Sequence, residues 1–353
     1  MIARWRLAIA LIVASAFSSF PSAFYATIAA EVGGGSTTTS ILFASHGAAA
    51  IVAMSVLALP AIAVRVARIP LRFYLTAVLG LDALAGILLV FANGGGGFAL
   101  VLIGRIATGL ALGALTPVVA AALAGYRGGS ALSTAGILGG VGVGSLVAGS
   151  LALLDLPRAA VFAVGCFALI AAAAIALSSA ERPVVTSASP LTASVQKSRV
   201  SLVVAGAAAL AFAANGVLGL FTSVLPGIVA SASTAPPEFT AGLTVAVVLL
   251  AAGAARLAIP ADRSRLARWV AVACLYVGAV VFGVGLVEAS TALSLIGGVL
   301  LGFAAGIAYD TALALAASRT IGAARVRALA TVQRGGQFGL VIPVLLYPLA
   351  IQR

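Results

Sequence analysis

Four charged residues lie within long apolar runs of the sequence, where a charge is rare and can take part in chemistry. They are Asp82, Arg105, Asp310 and Arg334. A charge at the centre of a membrane helix costs about 2.5–3.5 kcal/mol on insertion scales, so it persists where it is paired or used. At about 1.5 Å of rise per residue, Asp82 and Arg105 differ in depth by roughly 5 Å. Asp310 and Arg334 are both set in from the same side. Two structural ion pairs are one interpretation, and sites for a proton or a charged ligand are the other.

Asp310 is the first candidate for proton coupling, and Asp82 is the second. A carboxylate in a partly dry cavity can take up and release a proton, and a nearby arginine or a substrate then competes for the same acid. Hydrogen-bonding side chains surround Asp310 and Arg334 along their helices. The residues of this group that we expect to bind substrate are Tyr309, Gln333, Arg334 and Gln337.

Arg105 is suited to hold an anionic substrate or to orient a carboxylate. The first apolar segment adds Tyr25 as a substrate-binding candidate, and the seventh adds Asn215. Lone serine and threonine hydroxyls in membrane helices usually bond to their own backbone, so they are weaker candidates. His46, the only histidine, titrates in a useful range. A lone histidine on an apolar helix is, however, more often packed or interfacial.

Several other kinds of chemistry have no support in the sequence. The two cysteines, Cys166 and Cys274, lie in separate apolar runs without a CxxC or zinc spacing. No group of His, Cys and Asp has metal-ligand spacing, and there is no Walker motif, nucleotide fingerprint or nucleophile elbow. We therefore expect no metal, no cofactor and no enzymatic activity.

The composition places these residues in a membrane. Of the 353 residues, 63% are hydrophobic and 8% are charged, whereas a soluble domain carries about 25% charged residues. We predict an all-α integral membrane protein in which the first segment is a retained helix rather than a cleaved signal peptide. The eleven apolar segments are 5–30, 38–64, 73–92, 98–124, 131–154, 158–180, 200–230, 238–260, 269–288, 291–318 and 328–351.

The basic residues predict the orientation of these segments. With the N-terminus inside, fifteen of the twenty lysines and arginines fall in cytoplasmic segments, and two, Arg158 and Arg353, fall outside. This positive-inside bias attributes the net charge of +12 to topology rather than to nucleic-acid binding. The Ala-, Gly- and Arg-rich composition is typical of a GC-rich bacterial genome. We expect a multi-pass protein of the bacterial inner (plasma) membrane with a cytoplasmic N-terminus.

The sequence contains a weak internal repeat. "LALPAIAVRVAR" at 57–68 and "LAIPADRSRLAR" at 257–268 share seven of twelve residues, and each ends an apolar segment. "ALST" at 131–134 returns as "ALAT" at 328–331, an offset of 197 residues. Two copies of one helical bundle explain both matches.

A polar stretch lies where the two copies should join. Residues 178–199 are rich in Ser, Thr and Pro, which is typical of a linker. We therefore predict two pseudo-symmetric helical bundles: six helices in residues 1–180, a cytoplasmic linker at 181–199 and five helices in 200–353. The repeat ends where a counterpart of the sixth helix should begin, so the pattern lacks a twelfth helix. A naturally shortened protein and a fragment are both compatible with this.

Six helices, a cytoplasmic linker and a related second half resemble the major facilitator superfamily (MFS). The family's signature loop between its second and third helices reads roughly G-x-L-A-D-R-x-G-R-R, and "PAIAVRVAR" and "PADRSR" stand at that place in the two copies. The resemblance implies that this loop locks the halves together on the cytoplasmic side through acid–base contacts and a helix dipole. It assigns gating roles to Arg65 and Arg68 in the first copy and to Asp262 and Arg263 in the second. Val64 replaces the family's acid in the first copy.

Two glycine-rich helices extend the resemblance. "GRIATGLALGALTPV" looks like the R-x-x-x-G-x-x-x-G segment of the family's fourth helix, with Gly109 and Gly113. "GGVGVGSLVAG" resembles the glycine-rich motif of antiporters, with Gly140 and Gly144, although a serine stands where that motif has a proline. The resemblance implies that these glycines take part in conformational gating. Small residues at four-residue spacing also permit close helix packing, which is the alternative interpretation.

These features together predict a secondary transporter that moves a small molecule by alternating access between two bundles. The antiporter-like helix favours proton-coupled efflux, as in the drug/proton-antiporter branch of the family. The expected partners are a small-molecule substrate, protons and the lipid bilayer, and we expect a monomer. An uncoupled or importing carrier and a non-transporting scaffold or sensor are the alternatives.

Overall fold

The computed structural model describes most of the chain. The described ranges are 2–92, 97–154, 156–178, 197–223, 235–259, 264–288 and 290–351, with the single residues 226 and 229. The predicted linker at 181–199 lies outside the described residues except for 197–199, which begin a helix. Asp262 and Arg263 also lie outside them.

All regular secondary structure of the described residues is helical. A 3₁₀-helix, Phe20–Phe24, joins the first two α-helices, and a π-helical turn, Ala135–Gly139, joins the seventh and eighth. The described residues form fourteen α-helices, which are α1 Ile2–Ser19, α2 Tyr25–Glu31, α3 Ser36–Ala58, α4 Pro60–Arg68, α5 Leu71–Val90, α6 Gly97–Leu123, α7 Gly129–Thr134, α8 Gly140–Ala152, α9 Arg158–Leu177, α10 Lys197–Ser223, α11 Pro237–Ala258, α12 Ser264–Val287, α13 Thr291–Ser318 and α14 Gly322–Ile351.

Eleven segments of the described chain are long and apolar enough to cross a membrane, which confirms the expected number. α1 and α2 form one of them together with the 3₁₀-helix, and α7 and α8 form another with the π-turn. The other nine are single helices: α3, α5, α6 and α9 to α14. The short helix α4 lies between two of these spans. The chain is a multi-pass membrane protein.

Prolines account for two departures from the predicted boundaries. Pro21 lies in the first turn of the 3₁₀-helix, where its missing N–H and fixed φ interrupt α-helical bonding in the first span. The second predicted segment, 38–64, divides at Leu59, whose extended backbone precedes Pro60 at the start of α4. The basic residues at the end of this segment therefore belong to a separate short helix.

The helices pack as two bundles with matching arrangements. In the first bundle α3 packs on α6, α5 packs on α6 and α9, and α1 contacts α6, α8 and α9. In the second, α11 packs on α13, α12 packs on α13, and α10 packs on α13 and α14. The pairs α3–α6 and α11–α13 correspond, as do α5–α6 and α12–α13. This is the two-bundle architecture that the repeat predicts.

Glycines bring the two bundles into close contact. α8 packs on α11, and α3 packs on α14. A Cβ at Gly253 of α11 would lie 2.7 Å from the Cα of Gly139, and one at Gly142 would lie 2.9 Å from the backbone nitrogen of Leu250. Neither glycine has room for a side chain. Backbone approach of this kind, rather than apolar burial, is what favours helix association in lipid.

The two ends of the molecule differ in charge. We call the end with α4 and the start of α14 the basic end; there Arg6 Nη1 donates to the carbonyl of Ser178 (3.0 Å), and Arg327 Nε donates to that of Ala58 (3.0 Å). We call the opposite end the neutral end; there Arg158 pairs with Glu31 (2.9 Å). Contacts between the bundles occur at both ends.

Candidate functional site

Arg105 of α6 is buried in the first bundle, beside the break in the first span. Its side chain is 2% exposed, and its Nη1 donates to the carbonyl of Ser18 at 2.5 Å. A change from α-helical to 3₁₀ bonding leaves nearby carbonyl groups without their usual donors. Arg105 supplies one such donor. The nitrogen Nε of Arg105 has no hydrogen-bond partner among the described residues.

Tyr25 supplies the other contact of Arg105. The tyrosine begins α2 directly after the break, and the guanidinium carbon of Arg105 lies 5.6 Å from the centre of its ring. This geometry is that of a cation–π interaction, which is strongest when both partners are removed from water. The broken first span and the arginine therefore hold each other in place.

A hydrogen-bond chain runs from Arg105 to α3. The hydroxyl of Thr108 donates to the carbonyl of Arg105 (3.0 Å), and Nδ1 of His46 lies 3.2 Å from the same hydroxyl oxygen. Because Thr108 has only one hydroxyl proton, His46 must donate through Nδ1 for both bonds to form. The only histidine of the chain is thus packed within the first bundle, with an assigned partner.

Asp82 is buried on α5, away from the contact between the bundles. It is 1% exposed, and neither of its carboxylate oxygens has a hydrogen-bond partner among the described residues. Arg105 donates to Ser18 instead, and the structure contains no ion pair between these two described residues. The sequence suggested such a pair because the two depths differ by only roughly 5 Å. Depth alone does not fix the rotation of each helix, which decides whether two side chains meet.

Asp310 and Tyr309 lie on α13 in the second bundle, and each is 3% exposed. Asn215 of α10 and Gln333 of α14 are buried in the same bundle. Tyr309 and Asn215 both face Gly336 of α14, where a Cβ would lie 3.4 Å from the tyrosine ring and 2.6 Å from the asparagine nitrogen. The structure therefore brings together α10, α13 and α14, three helices that carry predicted substrate-binding residues.

Arg334 and Gln337 face the other bundle. Nη1 of Arg334 donates to the hydroxyl of Ser55 on α3 at 3.4 Å. A Cβ at Gly47 of α3 would lie 3.8 Å from Oε1 of Gln337. These two predicted ligands belong to the contact between α3 and α14, and Gln333, one turn before Gln337, is 2% exposed.

The four glycines with predicted gating roles pack within the first bundle. A Cβ at Gly109 or Gly113 would meet Ala49 (2.9 Å) or the carbonyl of Ala50 (2.6 Å) on α3. A Cβ at Gly140 or Gly144 would meet α1, at the carbonyl of Ile12 (2.8 Å) or the hydroxyl of Ser19 (2.5 Å). Other glycines, in the π-turn and α8, face the second bundle. They are Gly139, Gly142 and Gly149.

The basic end contains a contact that the sequence does not reveal. Arg65 and Arg68 of α4 are exposed. The bond from Arg327 to Ala58, the last residue of α3, joins the two bundles directly. α14 also packs against α4. The sequence around Arg327 does not indicate this contact, because the partner residue lies 269 positions away in the chain.

The neutral end contains a second contact of this kind. The hydroxyl of Thr27 on α2 donates to Oε1 of Glu238 at 2.5 Å, and Glu238 lies in the first turn of α11. In the first bundle, Arg158 binds both carboxylate oxygens of Glu31 (2.9 and 3.1 Å) and the carbonyl of Ala92 (2.8 Å). Arg158 therefore ties three loops of one bundle together, while Thr27 and Glu238 join the two bundles. The described residues contain no group of three or more His, Cys, Asp or Glu that could hold a metal ion.

Comparison with solved structures identifies the fold. The chain is similar to the MFS proton:xylose symporter XylE bound to 6-bromo-6-deoxy-D-glucose (TM-score 0.73, 12% identity, 99% of this chain and 89% of that chain covered). It is similar to the human organic anion transporter MFSD10 (TETRAN) (TM-score 0.69, 13% identity, 98% and 93% covered). It is also similar to a bacterial homologue of the human lysosomal transporter Spinster in an inward-facing, unoccupied conformation (TM-score 0.66, 12% identity, 99% and 84% covered).

The chain therefore has the fold of the major facilitator superfamily, and the predicted fold class is confirmed. A scan against models of known protein families gives no match, and a sequence search of curated proteins gives none. At 12–13% identity the likeness to solved structures carries the fold and not a substrate.

Proposed function

We propose that this protein is a secondary transporter that moves a small molecule across the membrane by alternating access of its two bundles. The observation that carries the proposal is the set of polar residues buried inside these otherwise apolar bundles. Arg105, Asn215, Asp310 and Gln333 are each at most 3% exposed. Polar residues at such positions are expensive in a membrane protein and mark ligand or ion pathways.

The contacts between the bundles support alternating access. Arg327 and Ala58 join the bundles at the basic end, and Thr27 and Glu238 join them at the neutral end. Each is a single hydrogen bond of modest net energy, and it adds to the packing of α8 on α11 and of α3 on α14. The bundles themselves are held by many close glycine contacts. They are therefore suited to move as rigid bodies.

We further propose that transport is coupled to protons and that Asp310 carries the proton. Asp310 is 3% exposed in the second bundle and follows Tyr309 in the chain. In this scheme the carboxylate takes up a proton when the protein is open to one side and releases it when the protein is open to the other. Asp82 is the second candidate, because its buried carboxylate accepts no hydrogen bond from the described residues.

Export is the proposed direction. It rests on the resemblance of the helix around Gly140 and Gly144 to the antiporter motif. In export the substrate leaves the cytoplasm while a proton enters. Only a gradient experiment with oriented protein separates this direction from import.

The test is proton movement in proteoliposomes that contain a pH-sensitive dye. The intact chain, Asp310→Asn and Asp82→Asn are compared over a panel of candidate compounds, after gel filtration has established that each variant is folded. We expect a substrate-dependent proton flux in the intact chain that is lost in Asp310→Asn and kept in Asp82→Asn. Imposed gradients of opposite sign then distinguish antiport from symport.

Other outcomes would change the proposal in defined ways. Flux that survives Asp310→Asn and disappears in Asp82→Asn would move the coupling site to α5. Substrate exchange without proton flux would leave an uncoupled carrier. If the folded intact chain gives neither exchange nor flux over the whole panel, the transport proposal is wrong.

A further inference from the structure

α5 and α12 occupy corresponding places in the two bundles, and their contacts with α6 and α13 define the register between them. A Cβ at Gly104 of α6 would lie 2.8 Å from Cδ2 of Leu89 on α5. A Cβ at Gly297 of α13 would lie 2.5 Å from the backbone nitrogen of Phe282 on α12. The two glycines are 193 positions apart in the chain, and so are Leu89 and Phe282. The same offset therefore relates the residues of α5 to those of α12.

α9 covers one face of α5. A Cβ at Gly86 of α5 would collide with Sγ of Cys166 on α9, and this sulfur also lies 3.9 Å from the carbonyl oxygen of Ala83. Leu79 precedes Ala83 by one helical turn, and both side chains are buried. This face of α5 is thus a place where the fold accepts a further membrane helix.

The corresponding face of α12 is exposed. Val272 is 43% exposed and Tyr276 is 70% exposed, whereas their counterparts Leu79 and Ala83 are buried. Among the described helices, α12 packs extensively on α13, and none covers it as α9 covers α5. Residues of α12 at alternating spacings of three and four lie on this exposed face. We call them the α12 seam: Trp269, Val272, Tyr276, Ala279 and Gly283.

Tyr276 places a polar group in the middle of this face. The apolar span runs from Arg265 to Val287, so Tyr276 is eleven residues from each end, which is about 16 Å along the helix. A tyrosine of a membrane protein usually lies near an interface, where its hydroxyl reaches water. That of Tyr276 lies too deep for this, and the described residues supply no hydrogen bond to it. A hydroxyl without a partner is costly in hydrocarbon, so Tyr276 points to a partner helix.

The α12 seam is complementary to itself. A two-fold axis along the membrane normal would bring residues of equal depth together, and a phenol both donates and accepts, so two Tyr276 hydroxyls can bond to each other. Residues 269–283 carry no charge, so two seams do not repel within the bilayer. Ala279 and Gly283 are four residues apart, and nothing lies within 4 Å of a Cβ at Gly283. Small residues at this spacing allow two helix backbones to approach closely.

We infer that two copies of the chain associate along the α12 seam. The protein is then a dimer in the membrane and not the monomer that the sequence led us to expect. The contacts between the two bundles of each copy involve α8 with α11 and α3 with α14, so the seam leaves them free. The inference does not depend on the proposed transport function.

The dimer is measured by counting photobleaching steps of the full chain in liposomes over a range of protein densities. We expect two steps per liposome in excess of chance, with Tyr276→Phe weakening association about threefold to twentyfold. Gly283→Leu should weaken it at least about fivefold, since it overfills the seam without a clash inside one copy.

Two matched variants control for the substitutions themselves. Tyr74→Phe removes a hydroxyl that donates to the carbonyl of Ala114 within one bundle (2.9 Å), and Gly206→Leu fills an exposed position with nothing within 4 Å. Both should associate like the parent.

Cross-linking in native membranes locates the interface. Val280, next to the seam, is 66% exposed, and Leu84 of α5 is 62% exposed. With a bis-maleimide, we expect copies to be linked through Val280→Cys and not through Leu84→Cys, above the background of the parent with its own Cys166 and Cys274.

Four outcomes would each overturn the inference. The first is a parent that stays a single copy at every protein density, and the second is a dimer that Tyr276→Phe and Gly283→Leu leave unchanged. The third is equal linkage through Val280→Cys and Leu84→Cys. The fourth is linkage of Val280→Cys to a different membrane protein without linkage between copies, because another helix would then cover the seam.

Discussion

Arg327, near the start of α14, donates a hydrogen bond from Nε to the carbonyl of Ala58, the last residue of α3, at 3.0 Å. The last carbonyls of an α-helix have no partner within the helix, and the end of the helix dipole there is negative. A cation at this place satisfies one carbonyl and opposes the dipole. It also joins the two bundles at the basic end, beside α4.

Replacing Arg327 by Gln should favour conformations that are open at the basic end. A cation at an exposed helix C-terminus contributes about 0.3–1 kcal/mol, so we expect the ratio of open to closed molecules to rise about twofold to fivefold. Spin labels at the exposed residues Ala61 and Ile321 would report this as a longer label-to-label distance in double electron–electron resonance spectroscopy. Arg325→Gln is the control, because Arg325 donates to the carbonyl of Thr320 within its own bundle (3.0 Å). An equal response of both variants would contradict a specific role for Arg327.

Removing the contact at the neutral end should have the opposite effect. Thr27→Val keeps the shape of the side chain and removes the hydroxyl that donates to Glu238. A hydrogen bond to a charged group contributes about 1.5–3 kcal/mol when it is shielded, and partial exposure reduces this figure. We expect molecules open at the neutral end to increase about threefold to tenfold, measured between labels at Val32 and Pro236.

The control for this variant is Thr222→Val. The hydroxyl of Thr222 donates to the carbonyl of Gly219 in its own helix (3.1 Å), so its loss should not move the bundles. If Thr27→Val leaves the label distance unchanged, Thr27 and Glu238 do not hold the neutral end closed.

The helices and their number follow from the sequence, because hydrophobic length is a local property of the chain. Eleven apolar segments are enough to predict eleven spans, and the prolines explain where two of them divide. The repeat predicts two bundles because related segments pack in related ways. The length and division of the spans depend on residues that are close together in the chain, and the repeat can be read directly from the sequence.

The contacts of individual side chains cannot be predicted from the sequence in the same way, because successive residues of a helix point about 100° apart. Gly139 faces the second bundle, while its neighbour Gly140 faces α1. Arg105 matches Asp82 in depth but donates to Ser18. An error of one residue in the rotation of a helix changes each of these contacts. The rotation of each helix about its axis cannot be predicted from one sequence to that accuracy.

Filling the contact between α8 and α1 should destabilise the first bundle. A Cβ at Gly144 would collide with the carbonyl of Ala16 and would lie 2.5 Å from the hydroxyl of Ser19. Overpacking of this kind costs about 1–3 kcal/mol, so Gly144→Ala should lower the unfolding temperature in detergent. Gly80→Ala is the comparison, since nothing lies within 4 Å of a Cβ there. It should be neutral or slightly stabilising, because alanine favours the helix. Equal destabilisation by both variants would contradict the packing role of Gly144.

Variants with increasing expected cost in unfolding free energy test the contact of Arg105 with the broken first span. Tyr25→Phe removes a hydroxyl that has no hydrogen-bond partner among the described residues and keeps the ring below the guanidinium. It should leave the free energy of unfolding unchanged or slightly raised. Tyr25→Leu removes the ring and should cost about 0.5–2 kcal/mol, the range for a cation–π contact.

Arg105→Lys should be more damaging than either change at Tyr25. A lysine keeps the charge, but its ammonium is a compact point charge and cannot reproduce the planar arrangement that serves the Ser18 carbonyl and the tyrosine ring together. We expect a loss of about 1.5–3 kcal/mol, as for a hydrogen bond to a charged group, because the buried Ser18 carbonyl loses its donor. Unfolding in a denaturing detergent, followed by circular dichroism, would rank the three variants. If Arg105→Lys is as stable as the parent while Tyr25→Phe is not, the hydroxyl of Tyr25, rather than the Arg105 contact, holds the broken span.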